Sequence, residues 1–272
     1  MITRFAPSPT GPLHLGHAYS AMLAHDLARD AGGRFLLRIE DTDTTRSRPE
    51  WEAQIYEDLA WLGLEWEEPV LRQSENRAAY DAALARLDSL TYACTCNRAD
   101  IRAAFSAPQE GDYGPDGLIY PGTCRNAGHG VSAAAIRLDI KRAVAQIPSN
   151  ISYEEHGTGR QTVHTAELPQ SVGDVVLQRR DTGLAAYHLA VVVDDAAQGV
   201  TDVVRGSDLA EATQIHVVLQ ALLGLPVPRY HHHRLIRDDA GKRLAKRDDA
   251  RAIATYRQQG ASPADIRAMV GL

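Results

Sequence analysis

The chain has 272 residues, of which 44% are hydrophobic and 24% are charged, a composition typical of soluble globular proteins. Its 29 basic and 35 acidic residues give a formal net charge of −6 at pH 7, which excludes a globally basic nucleic-acid coat but not a local basic groove. Three cysteines cannot all pair and no apolar run has signal-peptide or membrane-spanning length, so we expect a soluble protein of the reducing cytoplasm.

The first forty residues predict a strand, a loop, a helix and a second strand. Residues 2–6 suit a strand, and the proline-rich loop 7–12 cannot form regular structure. Apolar spacing predicts a helix over 13–31, closed by two glycines, and then a buried strand over 34–40. A strand, a helix and a strand in so few residues predict a βαβ unit and therefore a parallel sheet.

Further along the chain, the alternation of predicted helices and strands is interrupted once and then resumes. The predicted elements are helices over 49–62 and 74–90, a buried strand over 185–193, a helix over 213–223 and a strand over 230–236. Between them, residues 94–172 hold all three cysteines, many glycines and short runs typical of a small meander. This middle region indicates an insertion into an α/β domain.

Two histidines flank a glycine where the first loop opens the first helix, in the run His14-Leu15-Gly16-His17. Residues three apart share one face of a helix, and a helix N-terminus favours bound phosphate. Because Gly16 has no side chain, the flat base of a nucleotide could lie directly on the backbone there. The alternative, two surface histidines on an amphipathic helix, is disfavoured by the proline-rich loop upstream.

A second signal is the basic run Gly241-Lys242-Arg243-Leu244-Ala245-Lys246-Arg247, in a chain with only three lysines. Lys246 can bring a point positive charge to a phosphate, and the glycine allows the loop to move. Alone, such a run is typical of a solvated turn. Together with the histidine motif it indicates the second half of a nucleotide site.

The three cysteines form a third signal. Cys94 and Cys96 are separated by one residue and Cys124 returns after a loop, which suits a structural Zn²⁺ site. Four ligands are needed, and His129 is a chemically ordinary fourth. Three unconnected reduced cysteines are the alternative interpretation.

These motifs resemble those of class I aminoacyl-tRNA synthetases of the glutamyl branch. The segment Arg4-Phe5-Ala6-Pro7-Ser8-Pro9-Thr10-Gly11-Pro12-Leu13-His14-Leu15-Gly16-His17 is similar to the branch's first signature nearly residue for residue. Arg38-Ile39-Glu40-Asp41-Thr42-Asp43 and Val204-Arg205-Gly206-Ser207-Asp208-Leu209 match two further motifs. The resemblance runs from Ile2 to about Asp248. Ala245 stands where the second signature ordinarily has serine, for which we expect a modest effect.

The resemblance implies an α/β fold: a Rossmann-like, parallel-sheet class I synthetase catalytic core with a zinc-bearing insertion and no anticodon-binding domain. It divides the chain into four parts. These are residues 1–92, the first half of the catalytic domain; 93–184, the insertion; 185–240, the second half; and 241–272, the basic loop and short C-terminal helices.

The resemblance also implies roles for particular residues. His14, Gly16, His17 and Lys246 would bind ATP, and His14, His17 and Lys246 would be catalytic by stabilising phosphate charge, with Mg²⁺ on the phosphates. The glutamate-binding residues would be Arg4, Phe5, Ala6, Pro7, Ser8, Glu40, Tyr187 and Arg205. Glu40 would take the α-ammonium, and the planar Arg205 guanidinium would bind both oxygens of a carboxylate.

The resemblance is greatest to the short glutamyl-queuosine members of the branch, because the sequence ends 26 residues after Lys246, where longer members continue into a helical anticodon-binding region. Those members point to Tyr120 as the fourth zinc ligand, with His129 as the alternative. They imply a monomer with no membrane contact. It would activate L-glutamate with ATP and transfer it from glutamyl adenylate to queuosine in the anticodon loop of tRNA(Asp).

Three other functions remain open at this point. A truncated glutamyl-tRNA synthetase would charge the acceptor end of tRNA(Glu). A non-catalytic tRNA-binding paralogue would need no intact set of His14, His17, Arg205 and Lys246, all of which are present. A small nucleotidyltransferase would need no glutamate pocket.

Overall fold

The computed structural model describes residues 1–104, 113–236 and 252–272. Its helices are α1 (Leu15–Asp30), α2 (Pro49–Trp61), α3 (Arg77–Arg86), α4 (Arg98–Ala103), α5 (Ile140–Val144), α6 (Leu168–Ser171), α7 (Tyr187–Ala197), α8 (Thr213–Leu223), α9 (Ile253–Gln258) and α10 (Pro263–Val270). Its strands are β1 (Ile2–Phe5), β2 (Arg34–Ile39), β3 (Glu67–Arg72), β4 (Thr91–Cys94), β5 (Tyr113–Gly114), β6 (Gly117–Leu118), β7 (Ala135–Leu138), β8 (Asn150–Glu155), β9 (Gly159–His164), β10 (Val176–Gln178), β11 (Asp202–Gly206) and β12 (Arg229–His233).

The chain forms two compact units. The first comprises Met1–Glu75, Gly199–Ala210 and the described part of Pro228–Leu272, and the second comprises Asn76–Gln198 and Glu211–Val227. None of the helices in the described ranges is long and apolar enough to cross a membrane.

The first unit is built on parallel strands. β1 pairs in parallel with β2, β2 with β3, and β11 with β12. The amide of Thr201 donates to the carbonyl of Ile2 at 2.9 Å, which brings β11 beside β1. The predicted βαβ unit and the parallel-sheet fold class are confirmed.

Helix α1 lies against these strands through small side chains. Ala18, Ala21 and Ala24 are completely buried in the same core as Phe35 and Leu37 of β2. On its other side α1 contacts α10, where the Arg267 guanidinium bonds the Asp26 carboxylate. Helix α1 is therefore packed against the strands through its alanines and joined to α10 near its C-terminal end.

The second unit contains the antiparallel strands expected of a meander. β7 lies between β4 and β10, β8 and β9 form a hairpin, and β5 and β6 form a very short one. Helices α3, α7 and α8 pack together, and the Tyr80 hydroxyl donates to the buried Asp194 carboxylate at 2.9 Å.

One predicted element has the wrong type. The segment 185–193 was expected to be a buried strand, whereas α7 begins at Tyr187 and continues to Ala197. Residues Leu189–Val192 are all buried, so the continuous apolar run shows no helical period and cannot be told from a buried strand by pattern. The predicted helix 213–223 agrees with α8, and the predicted 74–90 helix is shorter, with 3₁₀ turns on both sides of α3.

A buried carboxylate in α2 lies close to the C-terminal helices. Asp58 is 0% exposed, and within the described ranges neither of its oxygens has a hydrogen-bond partner. A guanidinium nitrogen of Arg257 in α9 lies 3.9 Å from one of them. Burial, only partly offset by Arg257, raises the pKa of the Asp58 carboxyl to about 6.

We expect Asp58→Asn to stabilise the protein above pH 6 and to change little at pH 4. A carboxyl whose pKa is higher in the folded than in the unfolded state stabilises folding while protonated, and loses this contribution as the pH rises through about 6. The gain at pH 8 should be about 1 kcal/mol. Urea unfolding between pH 4 and pH 8 measures it. Asp81→Asn, at an exposed carboxylate, is the control, and a gain that does not depend on pH would contradict the interpretation.

Candidate active site and metal centre

The histidine pair forms the N-terminal cap of α1. His14 is the N-cap residue, and its Nδ1 accepts from the amide of Gly16 at 3.1 Å. The amide of His14 in turn donates to Nδ1 of His17 at 3.1 Å, and the ring centroids lie 3.8 Å apart. Two imidazoles thus satisfy backbone donors that Ser or Thr and Glu usually satisfy in a capping box.

This cap determines where the imidazole protons lie. Because both Nδ1 atoms accept a hydrogen bond, the proton of each neutral ring is on Nε2. His14 and His17 therefore present Nε2–H donors at a helix N-terminus, where an anion is already favoured. A Cβ on Gly16 would lie 3.0 Å from Cε1 of His14, so glycine also leaves room for this ring.

Three charged residues of the predicted glutamate pocket lie at the carboxyl ends of parallel strands in the first unit. Arg4 is in β1, Glu40 follows β2, and Arg205 is in β11. Arg4 donates to the carbonyl of Val204 at 3.4 Å, and Glu40 accepts from the fully buried Arg38 at 3.2 Å. Ligands of open parallel sheets commonly bind at this edge.

The loop after β1 contacts the same edge. Phe5 and Pro7 are buried, whereas Ala6 and Ser8 are partly exposed. The carbonyl of Pro7 accepts from the amide of Glu40 at 3.0 Å, which places the start of this loop beside the acidic residue.

The guanidinium of Arg205 is held by groups that the sequence did not single out. Its Nε donates to Nε2 of His232 at 3.1 Å, and its Nη2 donates to the carbonyl of Leu209 at 3.2 Å. The ring of Tyr230 lies 5.1 Å below it. The signal was present, since three consecutive histidines, His231–His233, are unusual in a strand.

The chain after the basic loop returns to the histidine motif. Ala252 forms an antiparallel bridge with His14, and the amide of Ile253 donates to the carbonyl of Leu13 at 2.9 Å. Lys246 and Ala245 lie outside the described residues. The described chain that follows them is attached by its backbone to the two residues that precede α1.

Tyr187 belongs to the second unit, where it is the first residue of α7 and partly buried. Its ring packs edge-on against His188 and His216, with centroids 5.3 and 5.8 Å away.

The three cysteines meet in the second unit, although Cys124 is distant in sequence. The sulfur atoms of Cys94, Cys96 and Cys124 lie within 4.8 Å of one another. The Tyr120 hydroxyl is 3.4 Å from the sulfur of Cys94 and 3.5 Å from that of Cys96. His129 is exposed and its Nε2 lies 3.4 Å from the hydroxyl of Thr95.

This geometry fits one metal ion. Three sulfurs and one oxygen placed tetrahedrally about Zn²⁺, at about 2.3 and 2.0 Å, lie about 3.5 to 3.8 Å from one another. Burial raises the pKa of Cys124, but hydrogen bonds from Tyr120 and the neighbouring cysteines outweigh it and lower the pKa to about 6. A lowered thiol pKa favours the thiolate, which is the form that binds metal.

We expect about one equivalent of Zn²⁺ per chain, and we expect Cys124→Ser to lose it. Elemental analysis of the purified protein measures the metal. Stoichiometric zinc in the serine variant would contradict the cysteine assignment. Tyr120→Phe keeps the ring under Arg137, whose guanidinium carbon lies 4.0 Å above it, and removes only the ligand oxygen. Zinc retained in Tyr120→Phe but lost in His129→Ala would assign the fourth ligand to His129.

Comparison with known proteins identifies the family. The family model described as tRNA synthetases class I (E and Q), catalytic domain, matches residues 1–272. The Glutamyl-Q tRNA(Asp) synthetase of Rhodobacter capsulatus is 59% identical, with 100% of both chains covered. The proteins of that name from Nocardia farcinica and Deinococcus radiodurans are each 45% identical; the alignments cover 98% and 97% of this chain and 82% and 86% of theirs.

Solved structures agree with this match. A glutamate tRNA ligase from Elizabethkingia meningosepticum, crystallised in complex with its amino acid, has a TM-score of 0.78 and 29% identity. The similarity covers 99% of this chain and 60% of that one, so the chain spans about three fifths of the length of this ligase. The chain belongs to the class I tRNA synthetases of the glutamate and glutamine group, and it is a ligase.

Proposed function

We propose that the chain activates L-glutamate with ATP and transfers it to queuosine in the anticodon loop of tRNA(Asp). The observation that carries the first step is the arrangement of the first unit. It places Arg4, Glu40 and Arg205 at the carboxyl edge of parallel strands, together with two Nε2–H donors at the N-terminus of α1. Glutamate has two carboxylates and one ammonium, which this charge set matches.

The chemistry of activation needs little covalent help from the protein. A carboxylate oxygen of glutamate attacks the α-phosphorus of ATP, pyrophosphate leaves, and glutamyl adenylate forms. The attacking carboxylate is already ionised at neutral pH, so no general base is needed. Positioning and stabilisation of phosphate charge determine the rate. His14 and His17 would donate to phosphate oxygens from Nε2, and Lys246, outside the described residues, would add a positive charge. Mg²⁺ would accompany ATP as the counter-ion of its phosphates.

Within the amino-acid pocket, the roles follow from charge. The Arg205 fork would bind a substrate carboxylate, and Glu40 would bind the α-ammonium. Arg4, with the adjoining Phe5–Ser8 segment, would line the pocket. Tyr187 is the further residue that the family pattern assigns to glutamate.

The nucleic-acid step is supported by the relatives. Three relatives that are 59%, 45% and 45% identical over 97% or more of this chain bear the name Glutamyl-Q tRNA(Asp) synthetase. A hydroxyl of queuosine would attack the carbonyl of the adenylate and AMP would leave. The basic segment 234–257 and the middle insertion would contact phosphates, and such contacts position the tRNA rather than read its sequence.

Transfer of labelled glutamate to two forms of tRNA(Asp), with and without queuosine, tests this proposal. We expect labelling of the queuosine form alone. Removal of the terminal adenosine of the tRNA should leave the labelling intact, because the acceptor end takes no part. Efficient charging of unmodified tRNA(Glu) at its acceptor end would favour a truncated glutamyl-tRNA synthetase instead. Absence of glutamate-dependent ATP–pyrophosphate exchange would favour a non-catalytic tRNA-binding protein.

The remaining assignments belong to the same proposal. Zn²⁺ would be structural, held by Cys94, Cys96, Cys124 and Tyr120. The protein would act in the cytoplasm, as a monomer and without membrane contact.

A further inference from the structure

Two buried histidines of the second unit form a polar chain that the proposed chemistry does not use. His188 in α7 and His216 in α8 are 5% and 2% exposed. Nδ1 of His188 lies 3.1 Å from Nε2 of His216. On its other side, Nε2 of His188 lies 3.2 Å from a carboxylate oxygen of Asp116, which occupies the turn between β5 and β6. A carboxylate, an imidazole and a second imidazole are thus linked in sequence.

The hydrogen bonds that link Asp116, His188 and His216 all run in one direction. A carboxylate only accepts hydrogen bonds, so Nε2 of His188 carries a proton. In the neutral ring Nδ1 then accepts, and Nε2–H of His216 donates to it. Each imidazole is thereby held in one tautomer and one orientation, as carboxylate–histidine pairs do at other functional sites.

Tyr187 packs against this histidine pair. Its ring lies edge-on to His188 at 5.3 Å and 67°, and to His216 at 5.8 Å and 61°. The two imidazoles are themselves 5.3 Å apart. Three rings in mutual contact restrict each other's rotation, and edge-to-face contacts of this kind add to the stabilisation from burial.

An imidazole loses its hydration when it is buried, and this costs free energy that only hydrogen bonds offset. Apolar side chains would fill the same space without that cost. What the histidine pair adds is a defined orientation of the surface that contacts Tyr187. We propose that Asp116, His188 and His216 are positioning residues that hold the Tyr187 ring in place for the amino-acid substrate. This inference rests on the proposed function, in which Tyr187 contacts glutamate.

Asp116 offers a clean test, because its side chain is 48% exposed and its loss leaves no cavity in the core. Asp116→Ala removes the acceptor, whereas Asp116→Asn keeps an oxygen in its place. We expect Asp116→Ala to raise the KM for glutamate in ATP–pyrophosphate exchange about fivefold, with kcat and the KM for ATP within about twofold of wild type. Asp116→Asn should restore most of the affinity. Asp81→Ala, which removes another exposed carboxylate of the same unit, should change nothing.

A second readout does not depend on activity. In ¹⁵N NMR spectra, the wild-type His188 ring should show the single tautomer with the proton on Nε2, with its signals assigned by their loss in His188→Gln. Asp116→Ala should convert it to a mixture of tautomers, with zinc content and melting temperature unchanged.

The outcomes separate this inference from the proposed function. A wild-type protein that activates glutamate, together with an Asp116→Ala variant of unchanged KM, would overturn the positioning role alone. A single His188 tautomer that persists in Asp116→Ala would also overturn it. A wild-type protein that does not exchange pyrophosphate with glutamate would overturn the proposed function, and the role of Tyr187 with it.

Discussion

Replacement of Arg205 by leucine is expected to abolish glutamate activation. The guanidinium is 6% exposed and held in place by His232 and Leu209, so a substrate carboxylate bound there would lose its partner in a site largely closed to water. A buried charge left without its partner costs about 3 to 5 kcal/mol, or a rate loss of about a hundredfold or more. Glutamate-dependent ATP–pyrophosphate exchange measures the loss.

Two further variants show whether the loss is specific. Arg205→Lys keeps the charge but lacks the planar fork, and should retain part of the activity. Arg229→Leu removes an exposed arginine of β12 that pairs with Asp202 and should retain nearly all of it. Exchange at the wild-type rate in Arg205→Leu would mean that the amino acid binds elsewhere.

Removal of the His14 imidazole is expected to slow adenylation about a hundredfold, the usual cost of one preorganised donor to a developing charge. In the structure Nδ1 of His14 caps α1, and in the proposed function its Nε2–H donates to phosphate, so the residue would have two tasks. His14→Ala removes both. His14→Ser retains a side-chain oxygen that can cap the helix and removes only the Nε2–H donor. Lys246→Ala is expected to cause a similar loss of rate.

The comparison of His14→Ala with His14→Ser separates an effect on catalysis from an effect on folding. The rate of ATP–pyrophosphate exchange should fall by the same factor in both variants. Only the alanine variant should also lose about 1 kcal/mol of the free energy of unfolding, measured with urea, because it lacks the helix cap. A serine variant with a normal rate would show that His14 acts through the fold rather than on ATP.

The sequence predicted well those features that arise from local pattern. The βαβ start, the bounds of α8 and the meeting of Cys94, Cys96 and Cys124 follow from spacing, glycine positions and ligand chemistry. The βαβ start and α8 are confirmed by the pairing of β1 with β2 and by the bounds of α8, and the three cysteines do lie together.

The features that were missed depend on burial or on partners distant in sequence. The sequence predicts a strand where α7 forms, because burial on all sides removes the polar face that reveals a helical period. His232 was missed because only the pairing of β12 with β11 brings it to Arg205. The capping role of His14 and His17 was missed because imidazoles seldom cap helices.

The antiparallel bridge between His14 and Ala252 and the Asp26–Arg267 ion pair join segments that are distant in sequence, 241 residues apart for the ion pair. On a ribosome, α1 is therefore synthesised long before the two segments that contact it. Contacts of such long sequence separation form late and slowly. The cap of α1 at His14 and the far end of the same helix at Asp26 therefore acquire these contacts only after the C-terminal helices α9 and α10 have been synthesised.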